Sequence, residues 1–106
     1  MSRTLPGEIW RVDFGIAAKV RPALIMSDFP KDDELALVVL VPHTTVVRGT
    51  RWEVTLPKPF LKPGVFHLQQ IQPIPITRLD VKLGALLPSE FQQVKQTLAK
   101  LLHLAA

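Results

Sequence analysis

Ten prolines are spread along the 106 residues, beside only five glycines. Each proline fixes φ and removes a backbone N–H, so it interrupts helix interiors and central ladder positions alike. A chain punctuated this often breaks into short segments, and the hydrophobic period within each says what it forms. Residues 5–14 read as a first strand: Trp10, Val12 and Phe14 share one face by period two, and Arg11 and Asp13 take the other. Residues 15–20 form a short loop. Residues 21–27 (RPALIMS) make a second strand, with Pro22 at its start, where a missing N–H does little harm.

The polar stretch 28–34 (DFPKDDE) is a hairpin loop; its carboxylates lack the turn glycine and ligand spacing of a calcium loop. Residues 35–41 are apolar throughout, which predicts a strand buried on both sides. Pro42 is expected to end its pairing, with His43, Thr44 and Thr45 following at the strand's exit. After a turn at 48–49, Arg51, Glu53 and Thr55 alternate with Trp52, Val54 and Leu56, a half-buried strand. The basic, proline-rich stretch 57–64 (PKPFLKPG) must break the sheet. Residues 65–70 and 71–76 read as further extended segments, Pro73 and Pro75 confining the latter to an edge.

Only the last segment predicts a helix. Pro88 suits a first helical turn, and Phe91, Val94, Leu98, Leu101 and Leu102 recur at helical spacing opposite a wet face of Gln92, Gln93, Lys95, Gln96 and Lys100. Short strands closed by one amphipathic helix define a mainly β fold, a small barrel with a C-terminal helix packed on it. The length fits one domain, residues 1–106, and 47% hydrophobic with 21% charged residues is ordinary globular usage.

Several chemistries are excluded. No cysteine is present, so disulfides, thiolate metal sites and cysteine nucleophiles are ruled out. The isolated glycines form neither a P-loop nor a dinucleotide fingerprint, the serines lack a nucleophile-elbow context, and His43, His67 and His103 share no metal-ligand spacing. No metal or cofactor is therefore expected. The longest apolar run is less than half of the ~20 residues that a membrane-spanning helix needs. With no apolar signal region at the start, a cytoplasmic location is expected. Thirteen Lys and Arg against nine Asp and Glu give a net charge of +4 and a pI near 9.9, a balance that favours polyanionic partners.

The stretches 7–14 (GEIWRVDF), 21–27 (RPALIMS) and 39–45 (VLVPHTT), followed in register by 68–71 (LQQI), 77–79 (TRL) and 83–86 (LGAL), together resemble the MazF/PemK family of bacterial toxin–antitoxin ribonucleases. The similarity runs over nearly the whole chain, residues 7–104. The resemblance implies an SH3-like barrel of the CcdB/PemK plasmid-toxin type, a homodimer, metal-independent cleavage of single-stranded RNA, and a cognate antitoxin that covers the RNA groove. It places the family's catalytic arginine at Arg21 and its catalytic threonine at Thr44. Both suit the reaction. Attack by a ribose 2′-OH builds charge on phosphate oxygens, for which a guanidinium is a planar, permanently charged fork and a hydroxyl a further donor.

The chain also departs from the family. Its loop after the first strand is short and lacks the glutamate common there, and Leu68-Gln69-Gln70-Ile71 carries no acid where members often have one. His43 and His67 are the replacements for proton transfer, since an imidazole titrates near pH 6.5; Glu53 is a more remote one. Lys19, Arg48, Arg51, Lys58 and Lys62 are candidate phosphate contacts, and Trp52 or Phe60 a candidate base-stacking ring. Trp52 more readily joins the core face with Val54 and Leu56. Two other functions remain open: a non-catalytic toxin that binds DNA gyrase, and a nucleic-acid-binding regulator on the same barrel. The C-terminal KLLHLAA lacks the Trp-Gly-Ile ending typical of the gyrase binder.

Overall fold

Three neighbouring strands of this chain each have a central stretch that is buried on both faces. The computed structural model describes residues 3–15 and 19–104; the middle of the expected loop at 15–20 lies outside the described residues. Strands β1 (Glu8–Asp13), β2 (Val20–Ile25) and β3 (Leu37–Thr44) form the centre of an antiparallel sheet. Alternate residues feed two cores. Ile9, Leu24 and Val41 face one, while Trp10, Val12, Ala23, Ile25, Val38 and Leu40 face the other. The uninterrupted apolar run over the start of β3 is therefore the two-sided strand that its composition predicts.

The remaining strands are β4 (Glu53–Val54), β5 (Val65–His67), β6 (Gln72–Pro75) and β7 (Leu79–Ala85). The sheet runs β4-β5-β3-β2-β1-β7, with β6 added against β3. The end strands β4 and β7 do not pair, so the barrel is open. Helix α1 (Pro88–Leu101) starts with proline in its first turn and presents Val94 and Leu98 to the first core, together with Phe91 and Leu101. The second core is closed by Ile74 of β6, Leu79 at the start of β7, and Phe14, Phe29 and Ile76 from the connecting segments. Among the described residues no helix is long and apolar enough to cross a membrane.

The structure corrects the expectations from sequence at several points. Pro42 does not end β3. It pairs with Ala23, and the strand continues to His43 and Thr44 by changing neighbour from β2 to β5. Leu35, expected to be buried, is 78% exposed. Residues 68–70 form a single 3₁₀ turn rather than extended chain, and the segment expected to be extended to residue 76 ends there in a second such turn, 76–78. β4 is shorter than its alternation, and Glu53 is drawn inward against the expected pattern. Leu102 lies past the end of α1 and is exposed. Strand β7 has no periodic signal because most of its residues are exposed.

Candidate active site

The site opens where two central strands part. β2 and β3 pair at Ile25–Leu40, Leu24–Val41 and Ala23–Pro42. Neither Pro22 nor Pro42 has an N–H to extend that ladder, and β3 turns instead to β5, setting His43 against Phe66 and Thr44 against Val65. Two residues outward from the Ala23–Pro42 pair stand Arg21 on β2 and Thr44 on β3. Both line one cleft of about 800 Å³.

That cleft also gathers Arg11, Lys19, His43 and Lys62, with Phe60 and Leu83 as an apolar wall. Among the described residues no carboxylate lines it, so its field is of one sign and suits an anion. Lys19 adopts a left-handed backbone conformation, φ 60°, at a cost of order 1 kcal/mol for a residue with a Cβ. Backbone bonds lock it there: its N–H donates to the Gly15 carbonyl at 2.9 Å and its carbonyl accepts from the Phe14 N–H at 3.0 Å.

Thr44 Oγ1 accepts the Val46 N–H at 3.1 Å. This local turn holds the hydroxyl in place and leaves its own hydrogen to donate. His43 is 5% exposed and meets Phe66 edge-on, with ring centroids 5.0 Å apart. Burial pushes its pKa below the ordinary histidine value, because desolvation disfavours the imidazolium. At neutral pH it is therefore a proton acceptor. Gly64 backs this corner: a Cβ there would stand 2.9 Å from His43 Cε1 and would overlap the Thr44 carbonyl.

The other candidates named from the sequence lie elsewhere. His67 does not line the cleft; it is 6% exposed, its Nε2 is 4.0 Å from Glu53 Oε2, and its Nδ1 is buried without a hydrogen-bond partner. Glu53 accepts the backbone N–H groups of Arg48, Gly49 and Thr50 at 2.9, 2.6 and 2.9 Å. The Arg48 N–H first among these holds its pKa below the usual carboxylate value, so it braces the 48–50 turn. Arg51 stacks on Trp52, its guanidinium carbon 4.4 Å from the ring centroid, in a separate recess near Lys100 and His103. Lys58 Nζ is bound to Glu90 Oε1 of α1 at 2.6 Å. Arg48, Arg51 and Lys58 are thus absent from the cleft that holds Lys19 and Lys62.

Sequence reasoning passes over Arg11. Its place opposite Trp10 and Val12 in the β1 alternation is the available signal; it lines the cleft while its Nε bonds Asp80 at 2.7 Å. Arg21 also borders a second recess of about 470 Å³ with Phe14, Pro42, Gln70, Ile71 and Gln72. Among the described residues no group of three histidines or carboxylates is disposed to hold a metal ion.

An open antiparallel barrel with a basic cleft between separating strands, free of carboxylates among the described residues, defines the class: a small β protein that presents one sign of charge at this opening. The chain belongs to the PemK-like, MazF-like toxins of type II toxin–antitoxin systems, whose sequence model matches residues 5–102. No curated protein sequence matches it. Among solved structures, it is similar to an endoribonuclease from a mycobacterial species in complex with its cognate antitoxin (26% identity over 97% of this chain and 98% of that one, TM-score 0.80). It is likewise similar to the Mycobacterium tuberculosis toxin MazF-mt6 (27% identity, 93% and 99% covered, TM-score 0.79). A MazE–MazF complex from Deinococcus radiodurans shares the fold (22% identity, 99% and 100% covered, TM-score 0.82).

Proposed function

We propose that this toxin is a metal-independent endoribonuclease that cleaves single-stranded RNA by attack of a ribose 2′-OH on the adjacent phosphate. The convergence of Arg21 and Thr44, from separate strands, on one basic cleft carries this reading. The phosphate binds at Arg21, whose guanidinium steadies the charge that grows on the non-bridging oxygens. Thr44 donates its hydroxyl hydrogen to one of those oxygens. Neutral His43 takes the 2′-OH proton as the O2′–P bond forms. As the P–O5′ bond breaks on the opposite side of phosphorus, O5′ takes a proton from solvent water and the imidazolium gives its proton back to solvent, leaving a 2′,3′-cyclic phosphate and a 5′-hydroxyl. Lys19, Lys62 and Arg11 hold flanking phosphates.

The mycobacterial neighbour's complex with its antitoxin supports a cognate antitoxin for this chain as well. The chain works in the cytoplasm as a homodimer, which sedimentation at micromolar concentration checks; of the apolar stretch 35–41, Val38, Leu40 and Val41 are buried within one chain, which leaves Leu35 and Ala36, exposed, and Leu37 and Val39, half-buried, to contribute. The deciding experiment incubates single-stranded RNA with the protein in a chelator. Cleavage persists, ends in a 2′,3′-cyclic phosphate, and falls at least about 10²-fold in a folded Arg21→Ala variant. Strict dependence on magnesium, or an unchanged rate in that variant, overturns the proposal.

A further inference from the structure

The chain has five phenylalanines, two tryptophans and no tyrosine, and all but one of these rings are committed to the protein itself. Trp10 and Phe66 are buried, and Phe14 packs on the second core. Phe29 lies under Arg3, Trp52 under Arg51 and Phe91 under Lys95. Phe60 is different: it is 37% exposed, belongs to neither core, and faces the cleft that holds Arg21.

The fold makes a seat for this ring. A Cβ at Gly84 would lie 2.5 Å from both Cε1 and Cζ of Phe60, so the ring rests directly on the β7 backbone. Gly84 is not among the positive-φ residues; its conformation suits any amino acid, and what the seat requires is the missing side chain. Beside it, Ile9 pairs with Gly84 but Trp10 with Lys82, which makes Leu83 the extra residue of a β-bulge. Bulges re-aim side chains, and Leu83 lines the cleft next to Phe60. The loop carrying Phe60 is stiffened by Pro57, Pro59 and Pro63 and tied to α1 through Lys58 and Glu90.

A partly exposed ring, seated on backbone and lining the same cleft as Arg11, Lys19, Arg21 and Lys62, matches an unpaired nucleotide, whose base offers a π-face and whose phosphate offers charge. We propose that Phe60, seated on Gly84 beside Leu83, is a stacking platform for one nucleobase of the bound strand, next to the phosphate held by Arg21. This inference rests on the ribonuclease reading and adds a base subsite to it.

The test uses an RNA oligonucleotide whose cleavage site has been mapped, blocked by 2′-deoxy substitution there, with an abasic nucleotide walked through the flanking positions; binding is read by fluorescence anisotropy. One position is expected at which base removal weakens wild-type binding about 10- to 100-fold, the range for a single aromatic stack. Phe60→Leu, which keeps apolar bulk, and Gly84→Ala, which evicts the ring, both lose that affinity for intact RNA and become insensitive to the abasic position. Phe60→Trp retains it. If Phe60→Leu binds and cleaves like wild type, or if its loss simply adds to the abasic loss, the platform is refuted while the ribonuclease reading stands. A wild-type protein that neither binds nor cleaves RNA removes both.

Discussion

Replacing Gly64 with alanine tests the geometry of the cleft with a single methyl group. Gly64 is not in a left-handed conformation, so alanine carries no backbone penalty there, and the whole effect is steric. The added Cβ would overlap the Thr44 carbonyl oxygen and stand 2.9 Å from both the Thr44 carbonyl carbon and His43 Cε1. An ordinary contact needs about 3.5 Å or more, so β3 and the 57–64 loop must separate by the better part of an ångström. Thr44 pairs with Val65 immediately beside this contact, which leaves the strand no independent way to yield. Overpacking of this kind costs about 1–3 kcal/mol. For a chain of this length that lowers Tm by on the order of 10 °C. The displaced groups are the proposed proton acceptor and hydroxyl donor, and a misplacement of that size lowers a rate by about 10²-fold. Thermal unfolding and single-turnover RNA cleavage, measured on Gly64→Ala in parallel, read the two effects separately. A variant with wild-type Tm and a rate within about twofold of wild type would show that the close approach of residue 64 to Thr44 and His43 is not how the site is built.

Four further outcomes follow from the same structure. Because burial depresses the His43 pKa, the acid limb of the cleavage profile should lie below pH 6.5, and His43→Gln should abolish that limb; a limb above pH 7 contradicts a buried neutral imidazole. The same depression means that the unfolded chain binds a proton more readily, so His43 favours folding fully above pH 6.5, and this contribution is lost as pH falls through its lower folded value; urea midpoints at pH 7.5 and 5.5 show the difference, diminished in His43→Gln. Lys58→Met should cost about 1–2 kcal/mol in urea unfolding, since it removes a charged hydrogen bond that ties the proline-rich loop to α1 across two largely covered side chains. Asp80→Asn breaks an ion pair whose partners are both about half exposed, so stability should change by less than about 1 kcal/mol, while RNA affinity rises and its salt dependence steepens as Arg11 is released toward the cleft.

The legible parts of the fold are those where period and burial coincide. The alternation of β1, the apolar run of β3 and the helical spacing of Phe91, Val94 and Leu98 each match the structure because a packed face selects the residues that occupy it. β7 leaves no such pattern: its outward residues meet solvent, and its two bulges shift the register of what remains. At the site, Arg21 and Thr44 can be named from motifs 23 positions apart along the chain, and Lys19 and Lys62 from charge. Nothing local distinguishes those lysines from Lys58, which folding places on Glu90, or from Arg51, which it lays on Trp52.

What the amino-acid order determined alone was the inventory: short strands broken by proline, one amphipathic helix, no thiol or nucleotide-binding chemistry, a basic balance, and family motifs in register. Those properties depend on neighbours along the chain and survive reading one residue at a time. Which cations share a cleft, why His43 is held neutral and His67 is kept out, and why Phe60 faces the opening were decided by the tertiary structure. Electrostatic field, desolvation and steric contact act through space, and the parting of β2 and β3 at two prolines is what brings these distant residues within reach of one ligand.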